Sequence, residues 1–532
     1  MKEPRTFFIR QHMPLPETSA AEVGSKAWNL MRMAAAGLPV PPAFVLPVAW
    51  CRERRHADAE LAAALTPGIA ALESATGLGF GSARQPLLVS VRSGSAVSMP
   101  GMMQTILNVG LNAESVLGLI RLTGNPHLAW DCYRRFIQSY SEVVHGLPRA
   151  VFDQLVNSEV AQAGGETVRD LDFRSLRKLA YAMLELFRER CGEDFPSDPS
   201  RQLLAAAHAV FRSWDSPSAA AYRKLAGIPD DGGTAATVQR MVFGNASGAS
   251  GSGVGFTRDP ATGEHELYVD FAFHGQGEDV VGGRTVIDTS ERLRHAMPEI
   301  WKQLVSGGNT LEEMFRDAQD FEFTVENGFF YILQSRYAHR TAWAALRIAV
   351  DLAEERLIEP CEALSRVKEL DPTSLRRTRI AHPHRLPLAQ AQVANTGIAT
   401  GQIALDVETA KKMAESGNGV ILVRPAILTE EIEGIAAATG ILTSTGGRTS
   451  HAAVVARQLG KVCLVACREL AIDLTGRSCT IAGQTLQEGD LLSLDGSEGR
   501  VYAGAVETVT ERPERELAAI EAWTRSAARK TA

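Results

Sequence analysis

Residues 446–457 constrain the fold of this chain more than any other segment, because they predict a flexible turn that leads directly into a helix. They read Gly-Gly-Arg-Thr-Ser-His-Ala-Ala-Val-Val-Ala-Arg and follow an apolar strand candidate. The paired glycines let the backbone approach a ligand closely, and Thr449 or Ser450 is a suitable N-cap. The pattern therefore predicts a strand, a turn and a helix, with His451 at the start of that helix.

A histidine at the start of a helix can carry a phosphoryl group. Its imidazole is nucleophilic near neutral pH, because its ordinary pKa of about 6.5 leaves the ring largely uncharged. Free backbone N–H groups and the helix dipole favour the anionic product. The alternative that these residues leave open is an ordinary capped helix with a polar histidine at its N-terminus.

The composition narrows the class of protein. A chain of 532 residues is too long for one core, so about two to four domains are expected. A hydrophobic fraction of 45% and a charged fraction of 22% are typical of a globular protein, and the net charge of −7 argues against a nucleic-acid binder. No apolar run has transmembrane length, and the N-terminus does not resemble a signal peptide, so no membrane partner is expected. Seven scattered cysteines do not form a disulfide framework, which makes the cytoplasm the expected compartment.

The order of apolar patterns predicts a mixed α/β chain, of the α+β type, built in several parts. Residues 151–225 are mostly helical in pattern, and the three prolines of residues 371–388 indicate a linker between domains. We interpret His382 and His384 of this linker as solvated, because no further metal ligands are evident nearby. The predicted parts are a first domain at 1–340 with a helical insertion at about 151–225, a helical linker at 341–392, a second domain at 393–505 and a tail at 506–532.

The tail contains a short amphipathic pattern. Leu517, Ile520 and Trp523 fall at helical spacing and predict a short amphipathic helix.

The first domain contains a pair of carboxylates in a strand pattern. Asp320 and Glu322 alternate with apolar residues, so a strand would place both carboxylates on one face. Such a pair suits Mg²⁺, which prefers oxygen ligands and bridges nucleotide phosphates. An exposed strand face with ordinary ion pairs is the alternative.

Candidate phosphate-binding residues lie near the N-terminus. Lys26 follows a glycine and precedes a helical pattern, which alone is a weak signal. Arg92 ends a strand candidate just before a loop of glycine and serine, where a guanidinium can bind two phosphate oxygens at once.

These segments, in this order, resemble the pyruvate phosphate dikinase and phosphoenolpyruvate synthase family. Residues 446–457 resemble its phosphohistidine signature, and the N-terminal part resembles its ATP-grasp nucleotide domain, which implies an ATP-grasp domain followed by a swivelling phosphohistidine domain. The resemblance implies the catalytic residues His451, Thr449, Arg92 and Arg336. It implies ATP contacts at Lys26, Arg92, Gln239, Met241, Val242, Arg284, Asp320, Glu322, Gln334 and Arg336. It implies Mg²⁺ ligands at Asp320, Glu322 and Gln334.

The sequence departs from the family pattern at a few positions. Arg448 stands where the family commonly has methionine, and Asp270 stands where it often has glutamate. His274 and Gly275 stand in place of an Asn-Ala pair.

The resemblance also implies a reaction. His451 would attack the β-phosphorus of Mg²⁺-bound ATP, AMP would leave, and phosphate or water would take the terminal phosphoryl group. In the family, a C-terminal barrel then passes the remaining phosphoryl group to pyruvate and forms phosphoenolpyruvate. Because the sequence ends at Ala532, we expect that barrel on a separate subunit. The alternatives are a phosphotransferase with another small-molecule acceptor, a phosphocarrier or regulatory protein without catalysis, and a degenerate remnant.

Overall fold

The computed structural model describes residues 5–52, 58–97, 99, 103–165, 167–277, 280, 290–371, 375–381, 386–426, 432–446 and 451–531. These residues form a mixed α+β structure with helices and several sheets. The chain divides into two compact units. Unit 1 comprises Met1–Ser247 and Tyr331–Gln334, and unit 2 comprises Gly248–Phe330 and Ser335–Ala532.

Unit 1 combines short strands with a large helical part. Its strands are β1 (Phe7–Ile9), β2 (Ala43–Leu46), β3 (Gly79–Phe80), β4 (Pro86–Leu87), β5 (Val89–Gly94), β6 (Thr105–Val109) and β7 (Ala235–Arg240). Its helices are α1 (Ala20–Val23), α2 (Ser25–Ala35), α3 (Val48–Arg52), α4 (Asp58–Thr76), α5 (Ser115–Thr123), α6 (Pro126–His145), α7 (Arg149–Ala163), α8 (Phe173–Cys191), α9 (Pro199–Arg212) and α10 (Pro217–Ala226).

Five strands of unit 1 form a sheet in the order β1–β2–β7–β5–β6, and the helices from α5 to α10 pack into the same core. Helices α7, α8, α9 and α10 occupy most of residues 151–225, where the sequence pattern is helical, and the helical part begins earlier, at Ser115. Helix α6 is well delimited, because Asn125 accepts a hydrogen bond from the Leu128 N–H at its start and Gly146 takes a left-handed conformation after its end.

Unit 2 contains the remaining strands and helices. Its strands are β8 (Gly251–Phe256), β9 (Tyr268–Phe273), β10 (Gln319–Glu326), β11 (Phe329–Tyr337, of which residues 331–334 belong to unit 1), β12 (Arg377–Ile380), β13 (Ala389–Gln390), β14 (Gln392–Asn395), β15 (Ile398–Ala404), β16 (Val420–Arg424), β17 (Gly440–Thr443), β18 (Val462–Val465), β19 (Leu470–Asp473), β20 (Ser478–Ile481), β21 (Gln484–Gln487), β22 (Leu491–Asp495), β23 (Arg500–Ala503) and β24 (Thr508–Glu511). Its helices are α11 (Ser290–Ala296), α12 (Pro298–Phe315), α13 (Ala342–Glu354), α14 (Pro360–Arg366), α15 (Val407–Glu415), α16 (Ile432–Ala437), α17 (His451–Gln458) and α18 (Glu514–Thr531).

Strands β8, β9 and β10 form an antiparallel sheet with two different faces. On one face, phenylalanine rings lie across the glycines of β8. A Cβ on Gly253 would meet the Phe323 ring at 2.5 Å, and one on Gly255 would meet the Phe321 ring at 2.4 Å. Larger residues could not occupy these positions without moving the rings, which explains why this strand is rich in glycine.

An eight-stranded sheet organises the C-terminal half of unit 2, in the order β13–β23–β22–β15–β16–β17–β18–β14. Its strands β15, β16, β17 and β18 are parallel, and the helices α15, α16 and α17 connect them in turn. Strand β17 and helix α17 are the strand candidate and the helix that the sequence around residues 446–457 predicted.

Two further features lie outside this sheet. Strand β12, within the segment predicted to be a linker, pairs in antiparallel fashion with β24, so that Arg377 is opposite Glu511 and Ile380 is opposite Thr508. Helix α18 confirms the predicted amphipathic helix, because Leu517, Ile520 and Trp523 pack in one cluster with α13. Among the described residues, no helix combines the length and apolar character needed to cross a bilayer.

Candidate functional site

The helix of the histidine segment lies at the carboxyl edge of parallel strands. Strand β17 ends at Thr443, and helix α17 begins at His451 and leads into β18. Helices that follow parallel strands present their N-termini, with free N–H groups, at this edge of the sheet. The predicted strand and helix are therefore confirmed, while residues 447–450 of the predicted turn, with Arg448 and Thr449, lie outside the described residues and so does the side chain of His451.

The loop after β17 is held by its own hydroxyl groups. Thr443 Oγ1 donates a hydrogen bond to the Thr445 carbonyl at 2.7 Å, and Thr445 Oγ1 donates to the Pro425 carbonyl at 2.7 Å. The first bond lies within the loop, and the second attaches it to Pro425, directly after the neighbouring strand β16. The approach to helix α17 is thus fixed as far as Gly446, which has the positive φ of 93° that glycine tolerates.

In unit 1, the candidate phosphate-binding residues meet at the end of β5. Both the N–H and the hydroxyl of Ser25 donate to the Ser95 carbonyl, at 2.9 and 3.0 Å, which fixes the start of α2 against the loop after β5. Lys26 is half-buried in the first turn of α2, and its Cβ is 3.8 Å from where a Cβ on Gly94 would lie. Arg92 is two residues earlier on β5, and its Nη2 donates to Gln334 Oε1 at 3.3 Å. The structure therefore brings three predicted residues, Lys26, Arg92 and Gln334, into one region of unit 1.

The residues predicted near the adenine follow one another at the end of β7. Gln239 is buried, and its side-chain amide donates to the Pro41 carbonyl at 3.3 Å. Met241 and Val242 come directly after the strand and are half-buried, with the Met241 N–H bonded to the Leu88 carbonyl at 2.9 Å. Strand β7 lies beside β5, where Thr237 is directly opposite Arg92. Arg284 lies outside the described residues.

In unit 2, the second face of the sheet β8–β9–β10 carries the predicted carboxylates. Asp320 is opposite Phe256 and Glu322 is opposite Val254, and Asp270 is opposite Val254 on the other side. Residues directly opposite in a sheet share a face, so all three carboxylates lie on the face away from the rings of Phe321 and Phe323, together with Phe256. The prediction that Asp320 and Glu322 share one face of a strand is confirmed. This surface is called the carboxylate face below.

Among the predicted Mg²⁺ ligands Asp320, Glu322 and Gln334, Asp320 is the most buried, with 4% of its surface exposed. Its Oδ2 accepts a hydrogen bond from Arg336 Nε at 2.8 Å. Burial raises the pKa of Asp320 above its ordinary value in spite of that arginine, whereas Asp320 and Glu322 together raise the pKa of Arg336 although burial opposes this. The site thus combines a carboxylate that is costly to ionise with an arginine that stays charged.

One atom of this group is suited to hold a cation. Asp320 Oδ1 is buried and has no hydrogen-bond partner among the described residues. No group of three or more His, Cys, Asp or Glu side chains in the described part of the chain is arranged as a metal cluster. A buried carboxylate oxygen such as Asp320 Oδ1 fits Mg²⁺ in its usual protein setting, where one or two carboxylates bind it and waters and phosphate oxygens complete the coordination.

The sequence patterns did not single out Arg457, which the structure places at the carboxylate face. Arg457 is in the last turn of α17, and its guanidinium carbon lies 5.8 Å from the centre of the Phe256 ring. A signal was present, because Arg457 follows the buried Ala453 and Ala456 at helical spacing and so belongs to the buried face of α17. A charged residue on such a face usually has a specific partner.

Comparisons with known proteins give matches for both the N-terminal and the C-terminal part of the chain. Residues 57–301 match the family model described as pyruvate phosphate dikinase, AMP/ATP-binding domain, and residues 416–499 match the PEP-utilising enzyme, mobile domain. The chain is 43% identical over 501 residues to a pyruvate, phosphate dikinase of Clostridium symbiosum, covering 91% of this chain and 56% of that protein. It is 41% identical over 531 residues to the Rhizobium meliloti (strain 1021) protein of the same name, covering 96% of this chain and 59% of the relative.

The chain belongs to the pyruvate phosphate dikinase family. Its similarity extends to a chloroplastic pyruvate, phosphate dikinase 1 of Zea mays, which is 40% identical over 489 residues, or 91% of this chain and 52% of that protein. The chain therefore spans only part of the length of the curated relatives that it matches.

One departure from the family pattern has a structural explanation. His274, where the resemblance implies that the family usually has asparagine, has a φ of 55° in the left-handed region. Asparagine and histidine are both enriched in that region among residues other than glycine. The exchange therefore preserves the backbone conformation directly after β9.

Proposed function

We propose that this chain carries out the ATP-dependent half-reaction of a dikinase, in which His451 becomes phosphorylated and AMP is released. The observation that carries the proposal is the position of His451 at the N-terminus of a helix on the carboxyl edge of parallel strands, in a member of this family. The proposal takes residues 1–340 as an ATP-grasp domain, 341–392 as a helical linker, 393–505 as a mobile phosphohistidine domain and 506–532 as a tail.

The first step forms one bond and breaks one. A ring nitrogen of His451 bonds to the β-phosphorus of ATP, and the bond from that phosphorus to the oxygen bridging it to the α-phosphorus breaks. AMP leaves with the electron pair, and a pyrophosphoryl group stays on the histidine. Phosphate or water then attacks the terminal phosphorus, so that pyrophosphate or phosphate leaves and the phosphorus that was β in ATP stays on the histidine.

The proposed roles of the other residues follow from their charges. Lys26 and Arg92 bind phosphate oxygens from unit 1, and Arg336 compensates negative charge from unit 2. Thr449 belongs to the catalytic loop, Gln239, Met241 and Val242 to the adenine side, and Arg284 to the phosphate contacts. Asp320, Glu322 and Gln334 would hold Mg²⁺, which supplies charge neutralisation for the phosphates during transfer.

The paired strands β12 and β24 support the proposed movement of the phosphohistidine domain. They are the chain segments that enter and leave the eight-stranded sheet, and they form a two-stranded sheet of their own. A narrow ribbon of this kind can bend while the elements on either side stay rigid. The phosphoryl group then passes to pyruvate on a barrel that we propose is a separate subunit.

The test uses the purified chain, Mg²⁺ and ATP labelled at the β-phosphorus. We expect AMP release and acid-labile label on the protein, both abolished in His451→Ala. His295→Ala is the matched control, because His295 is exposed on α11 and its loss should leave labelling unchanged. Label that persists in His451→Ala would contradict the proposal, as would a wild-type chain that binds ATP but releases no AMP.

The acceptor is tested separately with the labelled chain. Dependence of turnover on phosphate indicates a dikinase, whereas turnover without phosphate indicates a synthase. Transfer of label to pyruvate only after addition of a barrel protein would support the separate subunit. Formation of labelled phosphoenolpyruvate by the purified chain alone would contradict it.

A further inference from the structure

Arg457 connects the helix of the histidine to the carboxylate face, within unit 2. Its Nη2 donates to the Ala394 carbonyl of β14 at 2.7 Å, which ties it to its own sheet. Its guanidinium lies over Phe256 of β8, at 5.8 Å from the ring centre. Because Phe256 is directly opposite Asp320, the ring that the guanidinium covers lies on the same face of the sheet as that carboxylate.

The negative charges around Arg457 come from two strands and one loop. Asp320 is on β10, Asp270 is on β9 and Asp259 follows β8 by three residues, and all three attract the positive charge of Arg457. Burial nevertheless lowers the pKa of Arg457, so attraction does not fully offset the loss of hydration. Electrostatic attraction of this kind holds α17 against the carboxylate face. Because it does not fully offset the cost of burying the charge, the two surfaces can also separate, as a mobile domain requires.

Helix geometry links this contact to the histidine. Arg457 follows His451 by six residues, so the two Cα atoms are separated by about 9 Å along one rigid helix axis. Fixing the end of α17 at the carboxylate face therefore limits where its N-terminus can be. Holding the last turn of this short helix in place therefore restricts the position of the residue in its first turn.

We propose that Arg457 is a positioning residue, which docks α17 on the carboxylate face and thereby sets where His451 meets the nucleotide. The assignment of a nucleotide reaction to His451 rests on the proposed function, but the docking contact does not. Arg457 acts through the position of the helix and needs no contact with the transferred phosphoryl group.

The first experiment compares two ways of phosphorylating His451. Phosphoramidate transfers its phosphoryl group to imidazole with loss of ammonia and needs no docked nucleotide site, whereas ATP needs the docked arrangement. In Arg457→Gln we expect labelling by ATP to slow about tenfold or more, because a buried charge contact is removed. Labelling by phosphoramidate should stay within about twofold of wild type, and Arg457→Lys should restore part of the ATP rate.

Arg477→Gln is the matched control. Arg477 lies between β19 and β20 in the C-terminal half of unit 2 and is 44% exposed; it forms ion pairs with Asp406 and Glu488 and donates a hydrogen bond to Thr409 Oγ1 at 2.8 Å. We expect both labelling rates to stay within about twofold of wild type, since surface ion pairs contribute little. A slower ATP rate in Arg457→Gln but not in Arg477→Gln would show that the effect comes from the contact of Arg457 and not from removing an arginine in general.

The second experiment measures docking without any reaction. Spin labels at Lys302→Cys, exposed on α12, and at Glu469→Cys, exposed after β18, report the distance between the carboxylate face and the eight-stranded sheet. Cys191 and Cys361 are replaced by serine, since the other five cysteines are buried. We expect a single main distance in the wild type, a broad or shifted distribution in Arg457→Gln and the wild-type distribution in Arg477→Gln.

The outcomes separate the two proposals. Slower ATP labelling together with a changed distance distribution supports the positioning role. Equal losses with ATP and phosphoramidate would overturn it, because they indicate damage within the domain, and an unchanged distance distribution would overturn it as well. If the wild type is not labelled by ATP but its distance distribution still depends on Arg457, the proposed function fails while the docking contact stands.

Discussion

At the residue scale, Asp320 combines a functional benefit with a cost in stability. It is buried, one of its oxygens has no partner among the described residues, and burial raises its pKa above the ordinary value of 3.8. For an acid with a raised pKa, the folded state binds more protons than the unfolded state between the two values. The free energy of unfolding therefore decreases as the pH rises through that window.

Replacing this carboxylate should separate the two effects. In Asp320→Asn we expect ATP labelling of His451 to fall by about a hundredfold or more, because a charged phosphate-side ligand is lost. The unfolding temperature at neutral pH should not fall, and any gain should shrink as the pH falls towards 3.8, where the wild-type carboxyl becomes neutral too. Both quantities are measurable, by labelling and by calorimetry across pH.

The control for this prediction is on the same strand. Glu326 is half-buried at the far end of β10, and Glu326→Gln should leave the labelling rate within about twofold of wild type. A destabilised Asp320→Asn would show that the hydrogen bond with Arg336 outweighs the cost of burying the charge. Unchanged labelling would remove Asp320 from the proposed cation site.

The cysteines offer a second residue-scale prediction. Cys361 is exposed, whereas burial raises the pKa of the Cys463 and Cys467 thiols to about 12 and that of Cys479 to about 11. Because the thiolate is the reactive form, a thiol reagent near neutral pH should modify Cys361 in a fast phase that Cys361→Ser removes. Fast modification of Cys463, Cys467 or Cys479 in the folded chain would contradict their burial.

At the element scale, the start of α2 depends on a close approach of two backbones. Gly24 precedes the helix with a φ of 78°, and a Cβ on it would lie 2.2 Å from the Gly94 carbonyl oxygen at the end of β5. Since Lys26 is two residues further on, displacing this helix start displaces a proposed phosphate-binding residue. The contact therefore couples backbone geometry to nucleotide binding.

Two glycine substitutions test this coupling. Gly146 has a similar φ of 70°, with no atom within 4 Å of a Cβ placed there. Gly146→Ala should cost about 1 kcal/mol from backbone strain alone, whereas Gly24→Ala should cost about 2 kcal/mol or more and raise the KM for ATP. Urea unfolding and labelling kinetics measure both effects. Equal costs for the two variants would mean that the Gly24 contact with β5 relaxes freely.

Local sequence patterns predicted several elements, whereas strand β12 shows why others could not be predicted. The strand β10, the helices between 151 and 225 and the amphipathic α18 each carry their own periodicity. Strand β12 does not, because four residues of a linker become a strand only by pairing with β24, far along the chain. No local turn signal announces such a partner.

The same cause explains which site residues could be predicted. Asp320 and Glu322 share a face because of strand alternation, which the sequence displays directly. The contact of Arg457 with the carboxylate face joins a helix to strands more than a hundred residues earlier. A pattern within α17 shows that Arg457 lies on the buried face, but it does not show what lies opposite.

At the scale of the whole chain, unit 2 has a helical base from which the β12–β24 ribbon departs. Helices α13 and α14 precede β12, and α18 follows β24 and packs against both. Arg515 at the start of α18 pairs with Asp351 and Glu354 of α13. Nearby, the fully buried Arg258 is held by Glu312 at 2.9 Å and by Glu355 at 2.5 Å. Both ends of the ribbon are thus attached to one cluster.

The contribution of α18 to this base can be measured with one apolar side chain. Leu517 is 8% exposed within the cluster, so Leu517→Ala should lower the free energy of unfolding by about 2–3 kcal/mol. Leu474→Ala is the matched control, because Leu474 is 48% exposed and its loss should change that free energy by about 0.5 kcal/mol or less. Urea unfolding of both variants gives the comparison. Equal and small effects would show that α18 covers the base without stabilising it, and that the ribbon is anchored by α13 and α14 alone.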